Sequence, residues 1–108
     1  MKGQLLAAAP MEGLTTAVFR RLHHQYFGRT DLYYIPFITP TVEPKFTDRH
    51  LKELSPEVNA GIPVVPQLLS NRSADFIWAA KALQDLGYKE VNLNLGCPSG
   101  TVVEPPEY

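Results

Sequence analysis

Short apolar runs alternate along this chain with longer stretches in which apolar residues recur every three or four positions. Gln4 to Ala9 is a short apolar run closed by Pro10 and followed by Gly13, which predicts a buried strand. Thr15 or Thr16 can cap the helix that follows. Val18, Phe19, Leu22 and Tyr26 form its apolar face, Arg20, Arg21, His23 and His24 fall mostly elsewhere, and Gly28 stops it. Leu32 to Ile35 predicts a second strand, rich in residues that suit a pleated surface. Pro36, Pro40 and Pro44 mark the segment up to Thr47 as a loop, and Asp48 to Leu54 makes two helical turns before Ser55-Pro56. Val64 to Leu69 is a third strand. Ser73 caps the clearest helix, with Phe76, Ala79, Ala80, Leu83 and Leu86 as its stripe and Gly87 as its end. Glu90 to Leu95 is the fourth strand, ending at Gly96-Cys97-Pro98.

The order β-α-β-(α)-β-α-β, without repeats, predicts an α/β fold of parallel strands with crossover helices. Polar residues gather just after the strands, at Glu12, Thr39, Gln67 and Asn94. In such folds that is the end at which ligands bind.

Composition adds exclusions. The chain has 108 residues, 44% hydrophobic and 19% charged, with a net charge of -1, room for one small domain and too ordered in pattern for global disorder. No run approaches the ~18 apolar residues of a membrane span. The amino terminus leads into too short an apolar run for a secretory signal, so a cytoplasmic location is expected. The first half is mildly basic and the second mildly acidic, far short of a nucleic-acid footprint. With a single cysteine, Cys97, there is no internal disulfide and no zinc site built on thiols.

Cys97 is a packing residue, a reactive thiol or an intermolecular partner. Gly96 allows close backbone approach to it, and Pro98 stiffens the exit. Asn92 and Asn94 share a face of a regular strand. Their amides, and that of Gln67, either satisfy backbone groups or read the amide edge of a ligand. His23, His24 and His50 are expected to be solvated or interfacial. No glycine-rich phosphate cradle of the dinucleotide or P-loop type is present.

Three segments in order resemble the start of a tRNA-dihydrouridine synthase. They are Leu6-Ala7-Ala8-Ala9-Pro10-Met11-Glu12-Gly13-Leu14-Thr15 with Phe19-Arg20, then Val64-Val65-Pro66-Gln67-Leu68-Leu69, then Val91-Asn92-Leu93-Asn94-Leu95-Gly96-Cys97-Pro98-Ser99-Gly100-Thr101-Val102. The resemblance implies an FMN-binding TIM barrel, of which residues 1–108 are a partial catalytic domain. A complete barrel takes ~250 residues, so the fold expected is the first half of a (β/α)8 barrel: four parallel strands with crossover helices.

By the same resemblance, the activity is FMN-dependent reduction of the C5–C6 bond of particular tRNA uridines, with NADPH as reductant and tRNA as partner. Pro10, Met11 and Glu12 are implied to lie against the FMN ring, Gln67 to bond its polar edge, and Asn94 to hold the uracil. Cys97 is implied to protonate C5 after hydride reaches C6. A thiol, with its ordinary pKa of about 8.5, remains protonated at neutral pH yet transfers readily.

Family members continue after the cysteine motif with a basic, glycine-rich stretch, whereas here Val103 leads into Glu104-Pro105-Pro106-Glu107-Tyr108. The later strands, the phosphate loops and the helical tRNA-binding domain are therefore expected to be missing, the chain alone inactive, and its open sheet edges prone to pair with a second copy. Two other readings stay open: an FMN-dependent barrel oxidoreductase acting on a free pyrimidine, and a non-catalytic remnant.

Overall fold

A computed structural model describes residues 4–96 of the chain. Its elements run β1 (Ala7–Ala8), α1 (Ala17–Tyr26), β2 (Leu32–Ile38), α2 (Asp48–Leu54), β3 (Val64–Leu68), α3 (Ser73–Asp85) and β4 (Asn92–Leu93). The order matches the sequence pattern throughout. All strand pairs are parallel, and the spatial order β1-β2-β3-β4 follows the chain. Each crossover thus moves one place in the same direction, as in a barrel. A doubly wound sheet reverses its strand order midway. The sheet is half of an α/β barrel, as expected.

The core lies between β2, β3 and the helices: Ile35, Ile38, Leu54, Leu68, Ala79 and Leu83 form one buried cluster. Burying these side chains supplies most of the driving force, at about 1.5–3 kcal/mol for each large one. The predicted stripe of α3 faces this cluster, with Ala79 and Leu83 fully buried and Phe76 and Leu86 packed against it.

Boundaries differ from expectation where backbone pairing overrides local signals. β2 continues through Pro36 to Ile38 rather than ending at Ile35. Ile35 pairs with Pro66 and Ile38 with Leu68, so β2 spends three positions where β3 spends two. The extra residue is a β-bulge at Pro36-Phe37, where proline has no N–H to give the ladder. The bulge also returns Ile38 to the face of Ile35, which is why both reach the core. β1 and β4 are shorter than the apolar runs predicted. Leu5 and Leu6 are exposed, so the first strand is not the buried strand its composition suggests.

On α1 most of the apolar face points outward, Phe19 alone of the four predicted residues being half-buried. Val18 (69%), Leu22 (50%) and Tyr26 (70%) are exposed, while Arg20 is fully buried and His23 bonds the Tyr33 hydroxyl at 2.6 Å. Thr16 is the cap, its hydroxyl accepting from the Phe19 N–H. Gly28 does not take the left-handed conformation expected of a stop, and the helix ends on Phe27, whose N–H reaches the His23 carbonyl. Ser73 is the first residue of α3 and not its cap, and no side chain caps that helix.

Gly87 ends α3 as predicted, at φ +104°. Its N–H reaches the Gln84 carbonyl and the Tyr88 N–H the Leu83 carbonyl, the paired bonds of a Schellman turn. A Cβ at Gly87 meets nothing within 4 Å, so the cost of Gly87→Ala is conformational alone. Chemical denaturation is expected to show a loss of about 1–2 kcal/mol.

α2 opens with a capping box in which the Thr47 N–H donates to His50 Nδ1 and the His50 N–H to Thr47 Oγ1. Burial, then the nearby Arg49 cation, holds His50 below its ordinary pKa of 6.5. The folded chain therefore favours neutral His50 and the unfolded chain takes up its proton first. Stability from this group is complete above pH 6.5 and is lost as pH falls through the lower, folded value. An NMR titration of His50 should give a midpoint below that of a histidine in the unfolded chain; an equal or higher one would contradict this account.

Candidate functional site

The cleft at the carboxyl ends of the strands is where the chemistry-bearing residues meet. Pro10 and Glu12 after β1, Pro36 and Phe37 at the bulge of β2, Gln67 on β3 and Asn94 just past β4 line a cavity of about 320 Å³. Four of the residues singled out by sequence, Pro10, Glu12, Gln67 and Asn94, are thus brought together. Met11 is half-exposed and contributes through its backbone, as described below. Cys97 lies outside the described residues and follows directly on Gly96.

Gln67 and the two asparagines form a ladder of amides. Gln67 Nε2 donates to Asn92 Oδ1 at 2.7 Å, and Asn94 Nδ2 donates to Gln67 Oε1 at 3.2 Å. Asn94 Oδ1 in turn accepts the Gly96 N–H at 2.9 Å. The shared face predicted for Asn92 and Asn94 is therefore real, and β3 supplies the residue between them. Parallel pairing sets this up by placing Gln67 opposite Asn92. Gln67 is buried, at 8% exposure. It retains one N–H and one acceptor lone pair beyond the ladder.

The loop after β1 is held from behind. Thr15 Oγ1 accepts the Met11 N–H at 3.0 Å, and the Met11 carbonyl accepts the Thr15 hydroxyl together with the N–H groups of Leu14 and Thr15. Gly13, at φ +77°, makes the turn inside this loop. The Thr15 carbonyl then accepts Arg20 Nη1 at 2.7 Å. Arg20 also reaches Glu53 Oε1 (3.0 Å), the Glu53 carbonyl (3.2 Å) and Asn59 Oδ1 (3.0 Å). Glu53 Oε1 accepts the Ala17 N–H as well, a carboxylate at the amino end of α1 where the helix dipole favours it.

Asn59 donates to the Tyr88 hydroxyl, which donates to the Leu54 carbonyl at 2.6 Å. Burial pulls the Arg20 guanidinium down from its ordinary pKa against the opposing pull of Glu53. Burial also raises Tyr88, with Asn59 and Arg20 acting the other way. The polar network ties α1, α2 and the turn after α3 to the loop at Met11.

Sequence reasoning missed this network. Arg20 reads as a solvated position on an amphipathic helix, and its partners stand 33 and 39 residues away. Of the two environments expected for the histidines, His23 and His24 take the interfacial one, half-buried against the Tyr33 ring between α1 and β2.

Among the described residues there is no group of three or more potential metal ligands. Among the same described residues, no helix is long and apolar enough to cross a membrane.

A model of the family described as Dihydrouridine synthase matches residues 6–105. The tRNA-dihydrouridine(20/20a) synthase of Pasteurella multocida is 38% identical over 96 residues, covering 89% of this chain and 28% of that protein. The enzyme of the same name from Haemophilus ducreyi is 36% identical over 96 residues, with the same coverage. A probable tRNA-dihydrouridine synthase of Rhodobacter capsulatus is 29% identical over 94 residues, 87% of this chain and 28% of the relative. The chain thus spans about 28% of the length of the curated relatives it matches. No solved structure matches significantly.

Proposed function

The chain belongs to the dihydrouridine synthase family, and from that premise we propose that it carries the flavin- and base-facing residues of an enzyme reducing the C5–C6 bond of uridines in tRNA, with FMN as cofactor and NADPH as reductant. The observation that carries this reading is the meeting of Gln67 and Asn94 with Pro10 and Glu12 in one cleft at the carboxyl ends of the strands.

The residues present fit a flavin. The free N–H and lone pair of Gln67 match the alternating carbonyl and N–H groups along the pyrimidine edge of the ring. Pro10, with the backbone of Met11 and Glu12, supplies a wall stiffened by the Thr15 clamp.

FMN, when bound, supplies hydride to C6 of the uracil. The chain's own residues do the rest. Asn94 offers its second amide hydrogen to the uracil carbonyls. Cys97 gives its thiol proton to C5, quenching the negative charge that hydride addition leaves at C5 and the C4 carbonyl. A stacked tRNA base reaches such a pocket only when extruded, so the cleft must stay open to a nucleotide.

An FMN titration followed by quenching of flavin fluorescence tests the cofactor. Saturable binding in the micromolar range is expected, and no saturation at millimolar FMN would overturn the assignment. For the reaction, residues 6–105, the matched segment, can replace the corresponding segment of the Pasteurella multocida relative. The hybrid is expected to form dihydrouridine in tRNA; a hybrid that folds and binds FMN yet forms none would sink the reading.

A further inference from the structure

We propose that Asn92 is a positioning residue that clamps the Gln67 amide, so that the cleft presents one donor and one acceptor in a set order to the imide edge of a ring. What the amide binds rests on the flavin reading above; how it is held does not.

The polarity of the ladder starts at a group that cannot be reversed. A backbone N–H only donates, so the Gly96 N–H requires Asn94 to turn its oxygen toward it. The Asn94 nitrogen then faces Gln67, and Gln67 must present Oε1 to it. The Gln67 nitrogen is left facing Asn92, which must present Oδ1, at the shortest contact of the series, 2.7 Å. Each side chain inherits its orientation from the one before, and none can flip alone without setting donor against donor or acceptor against acceptor.

Asn92 closes the series. With contacts at both ends, the Gln67 amide has its plane as well as its direction fixed. Its remaining N–H and lone pair then point the same way in every molecule. Without Asn92 the amide keeps only the 3.2 Å bond from Asn94 and pivots about it. One buried hydrogen of Gln67 is then unpaired, at a site only 8% exposed. A swinging amide presents its donor and acceptor in no set direction, and a bound ring must pay to order it.

An aspartate at this position keeps the needed acceptor. A leucine of similar size removes it.

The test uses the intact chain labelled with nitrogen-15. In the wild type, the two Gln67 side-chain amide protons should be well separated, the one bonded to Asn92 shifted downfield. Asn92→Asp should retain that separation, and Asn92→Leu should collapse it toward the values of a solvated glutamine. Should Asn92→Leu fail to fold, Asn92→Ser, too short to reach Gln67, gives the same readout. In FMN titrations, Asn92→Leu and Gln67→Leu should each weaken binding about five- to tenfold. The double variant should be no weaker than Gln67→Leu alone, because the two residues act through one contact.

Unchanged Gln67 proton signals in Asn92→Leu would overturn the proposal, as would independent, additive losses in the double variant. A wild type with separated amide protons and no FMN affinity would remove the flavin while leaving the clamp standing.

Discussion

Replacing Arg20 with leucine is expected to lower the free energy of unfolding by about 3–5 kcal/mol, because it breaks a buried ion pair from one side only. Arg20 has no exposed surface, whereas its partner Glu53 is 31% exposed. Water can therefore take over part of what the carboxylate loses, which places the effect toward the lower end of that range. Asn59 Oδ1 and the Thr15 carbonyl lose their donors at the same time. A leucine restores volume but no hydrogen bonds.

Arg20→Lys should recover little. One ammonium cannot serve Thr15, Glu53 and Asn59 from the two ends of a planar fork. Against a total stability of about 5–15 kcal/mol for a domain, such a loss is plain in a urea titration. A change under about 1 kcal/mol would mean that the network is worth no more than an exposed pair. The loop at Met11 should loosen in parallel, since its anchor Thr15 is held by the same guanidinium.

The largest effect on chemistry is expected at Cys97. In the hybrid enzyme, Cys97→Ala should cut dihydrouridine formation by about 10²–10⁴-fold, the usual worth of a positioned general acid. FMN affinity should be unchanged, because hydride donation and ring binding fall to other groups. Cys97→Ser should not restore the rate, since an alkoxide is a far poorer leaving partner for a proton than a thiolate with a pKa of about 8.5. Parallel loss of turnover and FMN binding would make Cys97 a packing residue instead. The preceding Gly96 has its N–H pinned to Asn94, so the chain enters the cysteine from a fixed point on the ladder.

Much of the architecture was legible because its signals are local. The α3 stripe, the left-handed glycine after it and the Asp48 to Leu54 helix each depend on residues a few positions apart. The gathering of Gln67 and Asn94 at one end followed from strand order, since parallel strands bring their carboxyl ends together. The outward face of α1 was not legible. An amphipathic pattern says which residues are apolar and nothing about which side finds a partner. Val18, Leu22 and Tyr26 look like a core stripe in every local respect and are exposed.

The sequence by itself determined the element order, the parallel α/β class, the family and the candidate residues, because hydrophobic period, turn residues and short motifs act over a few positions. Only the tertiary structure decided that Arg20 is buried among Thr15, Glu53 and Asn59, that β2 bulges at Pro36, and that Gln67 is held between Asn92 and Asn94. Those arrangements depend on groups 25 to 39 residues apart for the side-chain contacts that link separate elements. Their partners are chosen by strand register and helix packing, which no local pattern encodes.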